Sequence, residues 1–255
     1  MIQRQLNFVI ILWTTIHLSS CALSSKHQQA TEPVHTQPTI AQTPAPVQQA
    51  KPHQEETLKG VDPAVSLRWL KNGNIRFVKN RLRKDGQSMA DVKRLAAGQT
   101  PHTVIVSCSD SRVPPEILFD QKLGEIFVVR TAGETLDPTS IASVEYAVEH
   151  LGARSILVMG HSKCGAIKAA CGTLDGSSAG SDNLNKLVAD IHPRLAAFKN
   201  KTFSKDFADE SWANAIGVSE DLVKRSNILT EKVHAHQIQI STALYNIETG
   251  LVSFK

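Results

Sequence analysis

Three short, uninterrupted apolar runs constrain this chain more than any other feature: Thr103 to Ser107, Glu125 to Val129 and Ser155 to Met159, with a fourth from Leu251 to Phe254. Runs this long and this rich in Val and Ile suit strands buried on both faces of a sheet. Between the second and third, Asp137-Pro138 opens a helix that carries Ile141, Val144, Val148 and Leu151 on one face and meets Gly152 as its stop. Strands alternating with helices predict an α/β fold, a central and mainly parallel sheet flanked by helices.

An N-terminal helical arm should precede the sheet. Asp62 caps a helix with Pro63 at its first position, and Leu67, Leu70, Phe77 and Val78 recur at helical spacing through about Arg83. A second helix is expected from Met89 to Ala97, with Ser88 and Asp91 spaced as a capping box and Gly98 placed to end it. Later segments, Asn183 to Phe198 and Asp209 to about Gln239, read as helical with apolar residues at mixed spacing.

The first 60 residues differ in kind. Arg4 precedes an apolar stretch from Leu6 to Leu18, too short to span a bilayer comfortably but suited to a signal-peptide core. It ends in Leu18-Ser19-Ser20-Cys21, which resembles the lipobox of bacterial lipoproteins, so residues 1–21 are expected to be a leader and Cys21 the lipidated first residue of the mature chain. Ordinary cleavage near Ala22 is the plainer alternative. Residues 22–60 are rich in Gln, Pro, Thr, Ala and Ser and hold no aromatic residue. Such a segment buries too little apolar surface to offset its chain entropy and is expected to be a disordered tether. The chain is therefore expected to be exported, as a periplasmic or membrane-anchored lipoprotein that meets a membrane only through its lipid.

Charge narrows the function classes. The 28 Lys and Arg residues barely exceed the 24 Asp and Glu residues, and no basic run is interleaved with aromatics. A nucleic-acid role has little electrostatic support, and a small-molecule site is the better expectation.

In open parallel sheets, functional groups gather beyond the carboxyl ends of the strands. Here the first strand runs into Cys108-Ser109-Asp110-Ser111-Arg112 and the third into His161-Ser162-Lys163-Cys164-Gly165. Two thiols, an imidazole and a carboxylate at neighbouring strand ends make a ligand set suited to zinc. The H-x-x-C half alone would more often be a backbone-satisfied His beside a Cys packed as a small apolar residue. Two further classes stay open at this point: a Cys-dependent hydrolase using Cys108 or Cys164, and a non-catalytic zinc-binding module. Cys171, seven residues after Cys164, reads as buried filler. A disulfide framework is not expected.

C-x-D-x-R after one strand and H-x-x-C-G after another resemble the β-class carbonic anhydrases. The likeness extends to Val113-Pro114, Gly124-Glu125, Phe127-Val128-Val129-Arg130, Glu145-Tyr146-Ala147 and Glu248-Thr249-Gly250, and covers the domain expected at residues 61–255. It implies a lyase with one Zn²⁺ per subunit that hydrates carbon dioxide reversibly to bicarbonate and a proton through zinc-bound hydroxide. It further implies Cys108, His161 and Cys164 as zinc ligands and Asp110 with Arg112 as the catalytic dyad, Asp110 being also a fourth zinc ligand in a closed state of some members. Gln99, Phe127, Tyr146 and the backbone N–H of Gly165 match substrate-contact positions, and a homodimer or homotetramer is implied, with the active site built across a subunit interface. Thr131 and Ala166 depart from the common pattern at places that touch no ligand. Ile105 stands where the bicarbonate-inhibited branch carries a Trp, which puts that branch's inhibitory site in doubt here.

Overall fold

The structure, a computed structural model, describes residues 60–255. The expectations for the leader, for Cys21 and for the tether up to residue 59 lie outside the described residues. Helix α1 spans Pro63–Val78 and starts as its sequence dictates, with the Asp62 carboxylate accepting from the N–H groups of Ala64 at 2.9 Å and Val65 at 3.3 Å. Its inward face is Ser66, Leu70, Gly73 and Asn74, one stripe at helical spacing. The helix stops at Val78, short of Arg83, because Lys79 leaves the helical geometry and Asn80 turns left-handed at φ 51°.

Helix α2, Met89–Leu95, carries the expected capping box, with Ser88 and Asp91 each accepting from the other's backbone. Strands β1 (Thr103–Cys108), β2 (Ile126–Thr131) and β3 (Ser155–His161) fall on the three apolar runs. Short α3, Pro115–Leu118, follows β1, and α4, Pro138–Glu149, follows β2 behind its Asp137 cap. Beyond β3 lie α5 (Gly165–Gly172), α6 (Asp182–Ile191), a 3₁₀ stretch His192–Phe198, α7 (Ala208–Arg225) and α8 (Asn227–His234).

The stretch expected to be helical to about Gln239 is two helices, and the second ends at His234, short of that bound. Ser226, extended at φ −128° and ψ 113°, ends α7 and caps α8 through Leu229 N–H. Strand β4 then runs Gln239–Tyr245, and β5, Val252–Phe254, returns beside it. Ile238 and Ile240, two apart, mark the change of period from helix to strand.

The sheet order is β2-β1-β3-β4-β5, parallel except for the antiparallel edge strand β5. Both faces are covered, which explains the unbroken apolar runs. Val104, Val106, Ile156 and Val158 point to the side where Val144, Val148, Val218 and Leu222 of α4 and α7 pack. Ile105, Leu157, Met159 and Ala243 point the other way, toward Leu70, Leu118 and Phe119. Asn74 ties that second layer together, donating to the carbonyls of Leu118 and Gly250 and accepting from Val252 N–H. No helix among the described residues is long and apolar enough to cross a membrane.

Candidate metal centre

Because β1 and β3 are parallel neighbours, Cys108 and His161, the last residues of each, arrive at the same end of the sheet. The chain then turns through Lys163, left-handed at φ 57°, and returns Cys164 as the N-cap of α5. The Sγ atoms of Cys108 and Cys164 lie 3.9 Å apart. One ligand atom from each of Cys108, His161 and Cys164 falls within 4.8 Å of the others, and all three residues are buried.

His161 is held for a purpose its hydrogen bonds make plain. Its Nδ1 lies 2.9 Å from the Ser162 carbonyl, which assigns the proton to that nitrogen, and its buried Nε2 has no hydrogen-bond partner. A lone pair is thereby turned toward the two sulfurs. Sulfurs each ~2.3 Å from one tetrahedrally bound ion stand ~3.8 Å apart, and the observed separation matches that demand. The donor set and its spacing fit zinc, and Cys171 stays outside it as a buried free thiol.

The two thiols act as a pair sharing one proton. Cys108 is pushed down to about 4, first by its hydrogen bond with Cys164 and against its own burial; the N–H groups of Gly133 and Asp110 also favour the thiolate. Those backbone donors reach Cys108 Sγ at 3.3 Å and 3.4 Å. Cys164 is pushed up, first by the bond to Cys108 and then by burial. Nearby Glu134 is wholly buried, and burial drives its carboxyl well above the ordinary range.

Asp110 stands just beyond the cluster, engaged by Arg112. Arg112 Nε donates to Oδ1 at 2.9 Å and Nη2 to Oδ2 at 2.7 Å, and the backbone N–H of Arg112 also reaches Oδ1. This fork holds the Asp110 carboxyl down to about 2. The structure brings Asp110 to the mouth of the site but does not include it among the converging ligand atoms.

The remaining sequence-predicted residues fall elsewhere. Gly165 opens α5 next to Cys164, and a side chain there would meet nothing within 4 Å. Gln99 is exposed ahead of β1. Strand β1, roughly 16 Å long at ~3.3 Å per residue, begins after it and ends at Cys108. Phe127 sits near the start of edge strand β2 and packs against the α4 side of the core. Tyr146 is half exposed on α4, its ring 5.0 Å from that of His150. Within one chain these three do not meet the cysteines.

Sequence reasoning missed the supports of the site. Arg130 bonds the carbonyls of Cys108 at 3.0 Å and Asp110 at 2.7 Å, fixing the loop between them. The Ala132–Glu134 turn supplies the Gly133 donor, and Asn214 on α7 holds that turn. Arg130 near the end of β2 and the Ala-Gly-Glu after Thr131 were visible; the distant Asn carried no local signal. A groove of about 1040 Å³ lies at the opposite end of the sheet beside Arg154, Gln239 and His234 and contains none of these residues.

The family model described as carbonic anhydrase matches residues 103–252. Carbonic anhydrase 2 of Mycobacterium tuberculosis is 33% identical over 195 residues, covering 76% of this chain and 93% of that protein. Among solved structures, the Coccomyxa β-carbonic anhydrase in complex with acetazolamide superposes with a TM-score of 0.57 at 29% identity, covering 63% of this chain and 74% of that one. A structure described among two tetrameric β-carbonic anhydrases of the filamentous ascomycete Sordaria macrospora shares the fold, with a TM-score of 0.55 at 21% identity over 64% of this chain and 84% of that one.

Proposed function

This chain belongs to the β-class carbonic anhydrase family, and we propose that it hydrates carbon dioxide to bicarbonate and a proton, reversibly, on one zinc ion held by Cys108, His161 and Cys164. The observation that carries the metal assignment is the 3.9 Å separation of the two sulfurs facing the partnerless Nε2 of His161. Two thiolates and a neutral imidazole give a divalent ion a complex of near-zero charge. A zinc ion so held supplies a Lewis acid that acidifies a water and readies it to attack carbon dioxide.

The protein's own part is orientation. With its carboxyl held down to about 2, Asp110 is too weak a base to take up a proton at neutral pH. It serves as a hydrogen-bond acceptor that aims the attacking oxygen, with a remaining lone pair on Oδ1 or Oδ2. Arg112 keeps that carboxylate turned toward itself and away from the metal, which holds the site open. Gly165 N–H, at the start of α5, is placed to receive a developing oxyanion of the product.

Gln99, Phe127 and Tyr146 reach substrate, on this reading, from a neighbouring subunit, so the active unit is a homodimer or homotetramer. The tetrameric relatives support an oligomer. We further propose that the enzyme is exported and lipidated at Cys21, on the leader-like and lipobox-like residues that precede the tether. Elemental analysis together with stopped-flow carbon dioxide hydration tests the function. One zinc per chain, lost along with the activity in Cys164→Ser, is the expected result; full zinc in that variant would reject the ligand assignment.

A further inference from the structure

Glu134 is in an unusual conformation for its residue type. It follows Gly133, at φ 65° and ψ 33°, and is itself left-handed at φ 44°. A long side chain at positive φ is uncommon and persists where its surroundings over-determine it. Gly133 is confined as well, since a Cβ there would stand 2.9 Å from Ala166 Cβ and 3.0 Å from Ile191 Cδ1. The outcome of this double left-handed turn is that the Gly133 N–H points at Cys108 Sγ, 3.3 Å away.

Thr131 Oγ1 donates to the Thr135 carbonyl across the turn at 2.7 Å, and a buried amide grips the turn at its middle. Asn214, wholly buried in the middle of α7, donates from Nδ2 to the Gly133 carbonyl at 2.9 Å and lies 3.5 Å from Glu134 Oε1. Its Oδ1 accepts from Arg194 Nη1 at 3.4 Å, which fixes which way the amide faces. Arg194 is in turn paired with Asp190 and Asp221, and Asp190 also accepts from Leu136 N–H at the far side of the turn. A continuous set of bonds therefore runs from α6 and α7 to the backbone donor on the sulfur.

We propose that Asn214 is a positioning residue for the metal centre: by clamping the Gly133–Glu134 turn it aims the Gly133 N–H at Cys108 Sγ and so sets how tightly that thiolate holds zinc. Without the amide, the Gly133 carbonyl is left buried with no donor and the strained turn relaxes toward ordinary φ, which carries its N–H off the sulfur. Groups in this outer position typically change metal affinity about 10–100-fold. The inference rests on the reading of Cys108 as a zinc ligand.

The test is zinc retention by the zinc-loaded full chain under competition from graded dipicolinate. Asn214→Ala and the isosteric Asn214→Asp, which lacks the donor, should each lose zinc at roughly tenfold lower chelator concentration than the parent. In their cobalt-substituted forms the sulfur-to-metal charge-transfer band should shift. Val218→Ala, one turn further along α7 and buried in the core away from the turn, should retain zinc as the parent does. Variants that match the parent, or a Val218→Ala that loses zinc equally, would overturn the role of Asn214 while leaving the ligands standing. A parent that retains no zinc would overturn both readings. Should the Asn214 variants fail to fold, the parent still decides: in the ¹¹³Cd-substituted, ¹⁵N-labelled chain the Gly133 amide proton should show scalar coupling to cadmium through Cys108 Sγ, and its absence rejects the proposal.

Discussion

Arg112 closes two parallel N–H arms on Asp110, Nε on Oδ1 at 2.9 Å and Nη2 on Oδ2 at 2.7 Å, two residues away along the same loop. Because the pair sits beside the Cys108–His161–Cys164 cluster without joining it, it can be broken without removing a ligand. Arg112→Ala should keep its full zinc content and lose hydration activity by on the order of 10- to 100-fold. Stopped-flow hydration paired with elemental analysis checks this. Parent-like rates with full zinc would exclude the pair from the mechanism.

A second carboxylate is structural. Asp120, its side chain wholly buried, is met by Arg76, by Lys122 at 3.0 Å and by the backbone N–H of Arg83. Burial works against its charge, yet the hydrogen bonds from Arg76 and Lys122 carry its folded pKa below the ordinary 3.8. The unfolded chain therefore takes the proton first on acidification. The stabilisation is complete above the ordinary carboxylate pKa and is lost as pH falls through the lower folded value. Asp120→Asn should cost about 1.5–3 kcal/mol at neutral pH, with the gap to the parent closing below about pH 4. Thermal unfolding at several pH values measures it, and a gap that stays constant into acid would refute the assignment.

How much of this was legible follows from where each signal lives. The strands at Thr103–Cys108 and Ser155–His161 announce themselves because burial on both faces makes their sequence continuous and apolar. The candidate ligands were readable because their chemistry is unusual and they sit at or near strand ends. β4 gave no sequence signal of its own, since Gln239–Tyr245 follows α8 with no Gly or Pro to mark the change, and its burial begins only after its first two residues. Asn214 could not be found from sequence at all, because its role depends on α7 crossing a turn 80 residues earlier. Gln99 and Phe127 show a different limit: in one chain they stand away from the cysteines, so a role for them requires a neighbour that sequence order does not display.

Close approach of backbones gives a prediction with an internal control. In α1 a Cβ added at Gly73 would lie 1.7 Å from the Phe119 carbonyl oxygen, a backbone atom that cannot swing aside. Gly73→Ala should destabilise the domain by about 1–3 kcal/mol as the helix is forced off α3. At Gly172, the last residue of α5, an added Cβ meets nothing within 4 Å. There the same substitution should be neutral or stabilise by up to about 1 kcal/mol, because alanine loses less chain freedom on folding. Unfolding midpoints at fixed protein concentration compare them. Equal effects would refute the packing argument.

The two candidate ligand cysteines differ in surroundings more than in sequence, and metal removal should expose the difference. Cys108 receives two backbone N–H groups, from Gly133 and Asp110, whereas Cys164 stands beside the buried Glu134 and is pushed up by its bond to Cys108 and by burial. After zinc is stripped by a chelator, the single negative charge of the pair should rest on Cys108, whose pKa lies at about 4. The thiolate is the reactive form. Iodoacetamide should therefore modify Cys108 ahead of Cys164, at a rate nearly constant from about pH 8 down to about pH 5, since that whole range lies above the Cys108 value. Cys171, raised to about 11 by burial, should react last. Zinc-loaded protein should resist at both ligand positions, as coordination occupies the sulfur lone pairs. Peptide mapping by mass spectrometry reads the order directly. Modification of Cys164 first would mean that the charge rests on the other sulfur, and that the Gly133 and Asp110 donors do not decide it.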